Sequence, residues 1–320
     1  ELSMVDTGLL IAGMLVAASY FDGPDEGEIR DLTETLYRRV DWTWAQGGQT
    51  TLRQGWKPKS GFLRYNWEGY NEATVLYVLA MGAPEHAISG DGFSGWTATY
   101  QWENIYGFDV LYGGPLFMHQ FSHAWIDFAG IRDAFMREKR SDYFENSRRA
   151  TLLNREYACR NPYGFKGYGA DLWGLSASDG PGGFRARADG RRHSFFGYAA
   201  RGAPFGPDDG TIAPWSFLAS LPFTPDVALS ALRHLLHRYP QVAPDLRMPS
   251  AFNPTLADRR HVGPDGWISA GFFGLDQGIT VMMIENYRSG LIWKLMRSNP
   301  HIRAGLRRAG FSGGWLAQGG

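Results

Sequence analysis

Two glutamates four residues apart, Glu68 and Glu72, stand in the string Trp-Glu-Gly-Tyr-Asn-Glu at 67–72. Paired carboxyls are the equipment of glycoside hydrolysis: one, protonated, donates to the leaving oxygen, and the other, ionised, activates water or attacks carbon. Trp67 and Tyr70 suit that chemistry, because flat rings stack on sugar faces while their polar edges bond to hydroxyls. The same string also reads as a capping pair for the helix that follows, since acids favour helix N-termini. Both readings stand on residue types alone. Glu145, in Asp-Tyr-Phe-Glu-Asn-Ser-Arg-Arg at 142–149, is either a further acid of the same site or an intrahelical partner of Arg148 or Arg149.

His119 and His123 frame Gln120 with the spacing of a zinc-protease helix, and Asp127 follows one turn on. The general base of such a protease is a glutamate, and Gln120 in its place takes no proton. Metalloprotease chemistry is therefore not expected. Hydrogen bonding of these three residues to a substrate or a neighbouring helix is preferred to a metal site. No Walker loop, Rossmann glycine fingerprint or Gly-x-Ser-x-Gly elbow occurs, so nucleotide chemistry and serine hydrolysis lose support. The turn Pro207-Asp208-Asp209-Gly210 leads into a helix, and its oxygens also suit a calcium ion.

Composition narrows the partners. Thirty-two basic residues balance thirty-two acidic ones, which disfavours a nucleic-acid binder or a basic membrane-surface protein. Hydrophobic residues at 44% supply a large core, so a disordered chain is excluded. Forty-seven aromatic residues alongside 58 Gly and Pro suggest long structured loops carrying flat side chains. Cys159 stands alone, which rules out an internal disulfide and a cysteine-rich metal site. The most apolar run, 8–18, is too short to span a bilayer and lacks the basic leader of a signal peptide. Because the chain opens on Glu1 and enters an apolar helix almost at once, it reads as a fragment or a processed chain.

Helical periodicity dominates the elements that must position these residues. Residues 7–21 are apolar nearly all round, the mark of a buried helix, with Asp6 or Thr7 as N-cap. An amphipathic stretch follows at 28–44, then a second all-apolar one at 71–81. Further helices are expected at 95–103, 142–160 (capped by Ser141), 170–176, 212–220, 226–239, 276–297 and 302–309, and a short hairpin at 61–67. Buried and amphipathic helices thus alternate, as in an all-α ring of inner helices each backed by an outer one. Five pairs can be drawn, so an (α/α)6 barrel spanning 1–320 as a single domain would lack only its first pair. In such a ring Asp6, Glu72, Glu145, Asp209 and Asp276 all stand at inner N-termini around one mouth. The Gly/Pro-rich segments 179–210 and 241–275 are loops of the length that carries function.

Several longer strings fit one family in the same order: Glu-Leu-Ser-Met-Val-Asp-Thr at 1–7, Trp-Glu-Gly-Tyr-Asn-Glu-Ala at 67–73, and His-Gln-Phe-Ser-His-Ala-Trp-Ile-Asp at 119–127. To these add Gly-Leu-Ser-Ala-Ser-Asp-Gly-Pro at 174–181, Gly-Thr-Ile-Ala-Pro at 210–214, and Ile-Glu-Asn-Tyr-Arg-Ser-Gly at 284–290. From residue 1 to about 297 the chain resembles the glycoamylase-like family. That family includes bacterial endo-β-1,2-glucanases and is similar to the transglycosylating module of cyclic β-1,2-glucan synthases. The resemblance implies an (α/α)6 barrel, glycosidase chemistry on a β-1,2-glucan, an upstream helical segment not present here, and a periplasmic or secreted location. Glu72 then looks like the general acid, and the second catalytic carboxylate is sought among Glu145, Asp276 and Glu68. Substrate contacts are expected from Glu1, Asp6, Trp67, Tyr70, His119, His123, Asp127, Asp209 and Arg288. A monomer that needs no metal or cofactor and hydrolyses a β-glucan oligosaccharide or polysaccharide internally completes the expectation, with transglycosylation of the same glucan or non-catalytic glucan binding as the alternatives.

Overall fold

A computed structural model describes residues 1–188, 190–256 and 266–317. Helices are the main element, as periodicity demands. In chain order they are α1 (Met4–Tyr20), α2 (Gly27–Arg38), α3 (Trp42–Ala45), α4 (Thr74–Gly82), α5 (Gly90–Thr97), α6 (Phe121–Trp125) and α7 (Ala134–Glu138). There follow α8 (Tyr143–Arg160), α9 (Pro214–Ala219), α10 (Pro225–Arg238), α11 (Gly274–Arg288), α12 (Leu291–Ser298) and α13 (Pro300–Arg308). Strands are short and form only small antiparallel pairs or a three-stranded ribbon among the described residues. The chain divides into two compact units, one of residues 1–102, 122–146 and 290–320, the other of 103–121 and 147–289.

The first unit is built around α4. Every residue from Thr74 to Gly82 is buried, which its unbroken apolar sequence requires. α1 and α13 pack against it. The crossing of α4 and α13 is close because both carry glycine there. A Cβ on Gly82 would lie 2.1 Å from the His301 carbonyl oxygen, and one on Gly305 would lie 2.0 Å from that of Val78. α1 also touches α2 and α12. Its expected burial all round does not occur: Met4, Gly8, Ile11, Ala12 and Leu15 are buried, whereas Leu10 is 64% exposed on the side away from these neighbours. The cap is Ser3, whose hydroxyl accepts from the Asp6 amide at 3.3 Å, rather than Asp6 or Thr7. The hairpin lies slightly earlier than expected: residues 61–62 pair with 55–57, which pair with 2–3.

In the second unit α9 packs on both α10 and α11. The buried side chains of α8, Ala150, Leu153, Tyr157 and Ala158, join Trp173, Leu175, Phe217 and Leu235 in its core. Here the sequence reading needs correction. Residues 170–176 form no helix, because the amides of Gly174 and Leu175 donate to Asn154 Oδ1 and the Leu175 carbonyl accepts from Asn154 Nδ2. A side chain has taken the backbone bonds a helix would need. The helix expected at 95–103 runs instead over α5, and 102–105 is strand. α8 is capped by Asp142, which accepts from the Glu145 amide at 2.8 Å, rather than by Ser141. Gly290, at φ +68°, separates α11 from α12 in what read as one helix.

Candidate active site

Glu72 stands immediately before the Ala73 N-cap of α4, and its backbone is held from both sides. Ser122 Oγ donates to the Glu72 carbonyl at 2.8 Å and accepts from the Val75 amide at 3.0 Å. Asn71 Oδ1 accepts from the Ala73 amide at 2.9 Å, and its Nδ2 donates to the Gly69 carbonyl. This turn aims the Glu72 carboxyl into a water-poor place. Oε2 is buried and meets no hydrogen-bond partner among the described residues. Burial pushes the carboxyl up from its ordinary value near 4.5 to about 7. A glutamate in that state carries its proton near neutral pH, as a general acid must.

Asp276 lies in the first turn of α11 and is buried. Burial raises it from near 3.8 to about 6, against a hydrogen bond from Ser250 that pulls it down. Its Oδ2, like Glu72 Oε2, has no partner among the described residues. Each carboxyl is thus raised by burial against one hydrogen bond, from its own backbone amide at Glu72 and from Ser250 at Asp276.

The other expected residues divide into two groups. Glu68 is exposed and accepts from Thr51 Oγ1 at 2.9 Å and Asn66 Nδ2 at 3.2 Å, so it is an ordinary hydrogen-bonded carboxylate. Trp67 is partly exposed; its amide donates to the Leu52 carbonyl and its carbonyl accepts from Tyr77. Tyr70 stacks on Tyr143 with centroids 5.8 Å apart and meets the edge of Tyr100. Asp6 is exposed in the first turn of α1, and Glu1 pairs with Lys57 at 3.3 Å. Glu145 occupies the first turn of α8.

The acids of the 207–210 turn meet partners within the protein. Asp209 is fully buried in a bidentate pair with Arg201, at 2.7 and 2.8 Å, and also accepts from the amides of Phe196 and Thr211. It anchors the 178–211 segment and is no mouth residue; α9 begins only at Pro214. Its neighbour Asp208 accepts from the hydroxyls of Tyr157 and Tyr168, so both acids of the proposed calcium turn are engaged by protein. Arg288 pairs with Glu285 at 2.9 Å in the last turn of α11.

His119, His123 and Asp127 share no helical face. Residues 116–119 form a 3-10 turn, tied down where Leu116 and Phe117 amides donate to Leu175 O and Ser176 Oγ, and α6 ends before Asp127. His119 is buried and pushed down to about 3, hence uncharged. His123 packs edge-on against Phe128, and its carbonyl accepts from Trp293. Asp127 is committed to Arg297, and its carbonyl accepts from Trp315. Gln120, in the place of a protease base, donates to Ser216 O and Ser220 Oγ and so braces α9. Among the described residues no group of three or more His, Cys, Asp or Glu is arranged to hold a metal ion. Nor is any helix long and apolar enough to cross a membrane.

Sequence reasoning missed Ser122, the hydroxyl that holds the backbone of Glu72. Serine is too common for its type to signal such a role, and each contact joins segments distant in the chain.

Comparison with known proteins identifies the family of the chain. The Glycoamylase family model, described as "Putative glucoamylase", matches residues 64–300. An exo beta-1,2-glucooligosaccharide sophorohydrolase (non-reducing end) of Parabacteroides distasonis is 30% identical over 95% of this chain and 43% of its own. The chain thus spans less than half the length of that curated relative. Among solved structures, an endo-beta-1,2-glucanase of Chitinophaga pinensis in complex with sophorotriose and glucose superposes with a TM-score of 0.85 at 31% identity. That match covers 98% of this chain and 72% of the other. A beta-1,2-glucanase of Parabacteroides distasonis gives 0.82 at 28% identity, covering 96% and 45%. With a match over most of its length, the chain belongs to the glycoamylase family.

Proposed function

We propose that this chain is a glycoside hydrolase that cuts β-1,2-glucan internally, with Glu72 as proton donor. The observation that carries the reading is the state of Glu72: a buried carboxyl raised to about 7, with one oxygen unpartnered and its backbone fixed by Ser122. Glu72 gives its proton to the glycosidic oxygen as the bond from that oxygen to the anomeric carbon breaks. Water attacks the anomeric carbon and passes its proton to a second, ionised carboxylate. Glu72 is preferred to Glu68 as the donor because Glu68 is exposed and already accepts from Thr51 and Asn66. The architecture proposed for the chain is an (α/α)6 barrel, a reading supported by its helical content and its superposition on β-1,2-glucanases.

The internal mode of attack rests on likeness to the Chitinophaga enzyme. Removal of units from a chain end is the second reading, favoured by the name of the curated relative. Incubation with long linear β-1,2-glucan separates them. Internal cutting yields a broad range of intermediate lengths before short products accumulate. Release of one short product, with the polymer otherwise near its starting length, would favour the second reading. Unchanged reducing ends would remove hydrolysis altogether.

A further inference from the structure

We infer that Tyr77 is a positioning residue for Glu72, its hydroxyl tying the turn that carries the acid to the helix that follows it. The role rests on the reading of Glu72 as proton donor. Tyr77 stands in the first turn of α4 and is fully buried. Its hydroxyl accepts from the Leu52 amide at 3.1 Å and donates to the Trp67 carbonyl at 2.8 Å.

That hydroxyl occupies a place where backbone ordinarily meets backbone. Arg53 and Asn66 form an antiparallel bridge, flanked by bonds from the Gln54 amide to the Tyr65 carbonyl and from the Trp67 amide to the Leu52 carbonyl. In a regular ladder Leu52 and Trp67 would exchange two such bonds. Only one is made directly, at 2.7 Å. Tyr77 takes the place of the other, serving the Leu52 donor and the Trp67 acceptor at once. The ladder therefore ends at Trp67, shortly before Glu72, and is fastened there to α4.

The ring of Tyr77 is held as firmly as its hydroxyl. It stacks on Trp96 with centroids 5.1 Å apart and planes at 21°, and it meets the edge of Phe93. The Trp96 carbonyl in turn accepts from the Gly69 amide at 3.0 Å. Trp96 thus fixes the middle of the turn, Tyr77 its start at Trp67, and Ser122 its end at the Glu72 carbonyl. The ten-residue step from Trp67 to Tyr77 is a closed loop with the acid inside it. A proton donor fixed in advance needs no ordering when substrate arrives, and that is where its rate advantage lies.

The test measures kcat and KM on linear β-1,2-glucan, per folded molecule, for the wild type, Tyr77→Phe, Glu72→Gln and the double variant. Tyr77→Phe keeps the stacked ring and removes only the hydroxyl. It should lower kcat about tenfold or more and change KM by less. In the Glu72→Gln background the proton donor is already gone, so the same change should lower the residual kcat by less than about twofold. An equal loss in both backgrounds, or an unchanged kcat in Tyr77→Phe, overturns the inference alone, because the hydroxyl then serves folding only. Near-normal turnover in Glu72→Gln overturns the proton-donor reading and the inference with it. Amide hydrogen exchange of the wild type tests the tie without any variant, should Tyr77→Phe not fold. The Leu52 amide should be protected as strongly as those of α4, and exchange at the rate of an exposed loop would overturn the inference.

Discussion

The Ser122 hydroxyl bridges the Glu72 carbonyl and the Val75 amide, at 2.8 and 3.0 Å, across the start of α4. It satisfies the Val75 amide, one of the donors a helix N-terminus leaves open, and ties it to the carbonyl of the residue before the cap. The placement of Glu72 therefore depends on a residue fifty positions away in the chain.

Ser122→Ala strands both groups in a buried place. The expected cost is about 1–3 kcal/mol of stability, read by chemical denaturation. Because the Glu72 carboxyl would no longer be held in line, kcat should fall more than KM rises. A variant with wild-type kcat would show that Asn71 alone fixes the turn.

The rate of hydrolysis should fall on the alkaline side. Glu72 must be protonated, so kcat/KM drops as pH rises through about 7. A flat profile from pH 5 to 9 would mean that Glu72 is not titrating in the free enzyme.

Glu72 should also be a burden on stability. Its folded value is raised, so the folded state holds its proton more tightly than the unfolded chain. The wild type then loses stability as pH rises from about 4.5 to about 7. Glu72→Gln does not titrate. It should match the wild type near pH 4 and exceed it by up to about 3 kcal/mol above pH 7, measured by urea unfolding at both pH values. A constant difference across this range would contradict the shift.

Asp209 separates a structural acid from a substrate-binding one. Asp209→Asn weakens a fully buried pair and leaves Arg201 without its counter-charge, a loss of about 3–5 kcal/mol when one partner is removed outright. Whatever fraction of the protein remains folded should keep the wild-type KM. A higher KM at unchanged stability would return Asp209 to the substrate site.

Much of this was legible in the residues. Glu72 and Asp276 drew notice as acids at the starts of apolar helices, and both helices form there. The all-apolar run at 71–81 is the buried centre of its unit. What periodicity does not carry is the partner of each polar group. Asp209 looked like one more N-terminal acid because Arg201, eight residues earlier, is joined to it only by the fold of an irregular loop. The alignment of His119, His123 and Asp127 assumed one continuous helix, whereas backbone bonds to residues 175 and 176 break the segment. Asn154 likewise removed the helix expected at 170–176. Long-range hydrogen bonds by single side chains leave no repeating trace in sequence.

The most direct measurement is turnover of linear β-1,2-glucan by Glu72→Gln, followed as new reducing ends beside glucan binding. The variant should bind glucan within a few-fold of the wild type and lose about a hundredfold or more in kcat. Near-normal turnover, with folding and binding intact, would contradict the assignment of Glu72 as proton donor.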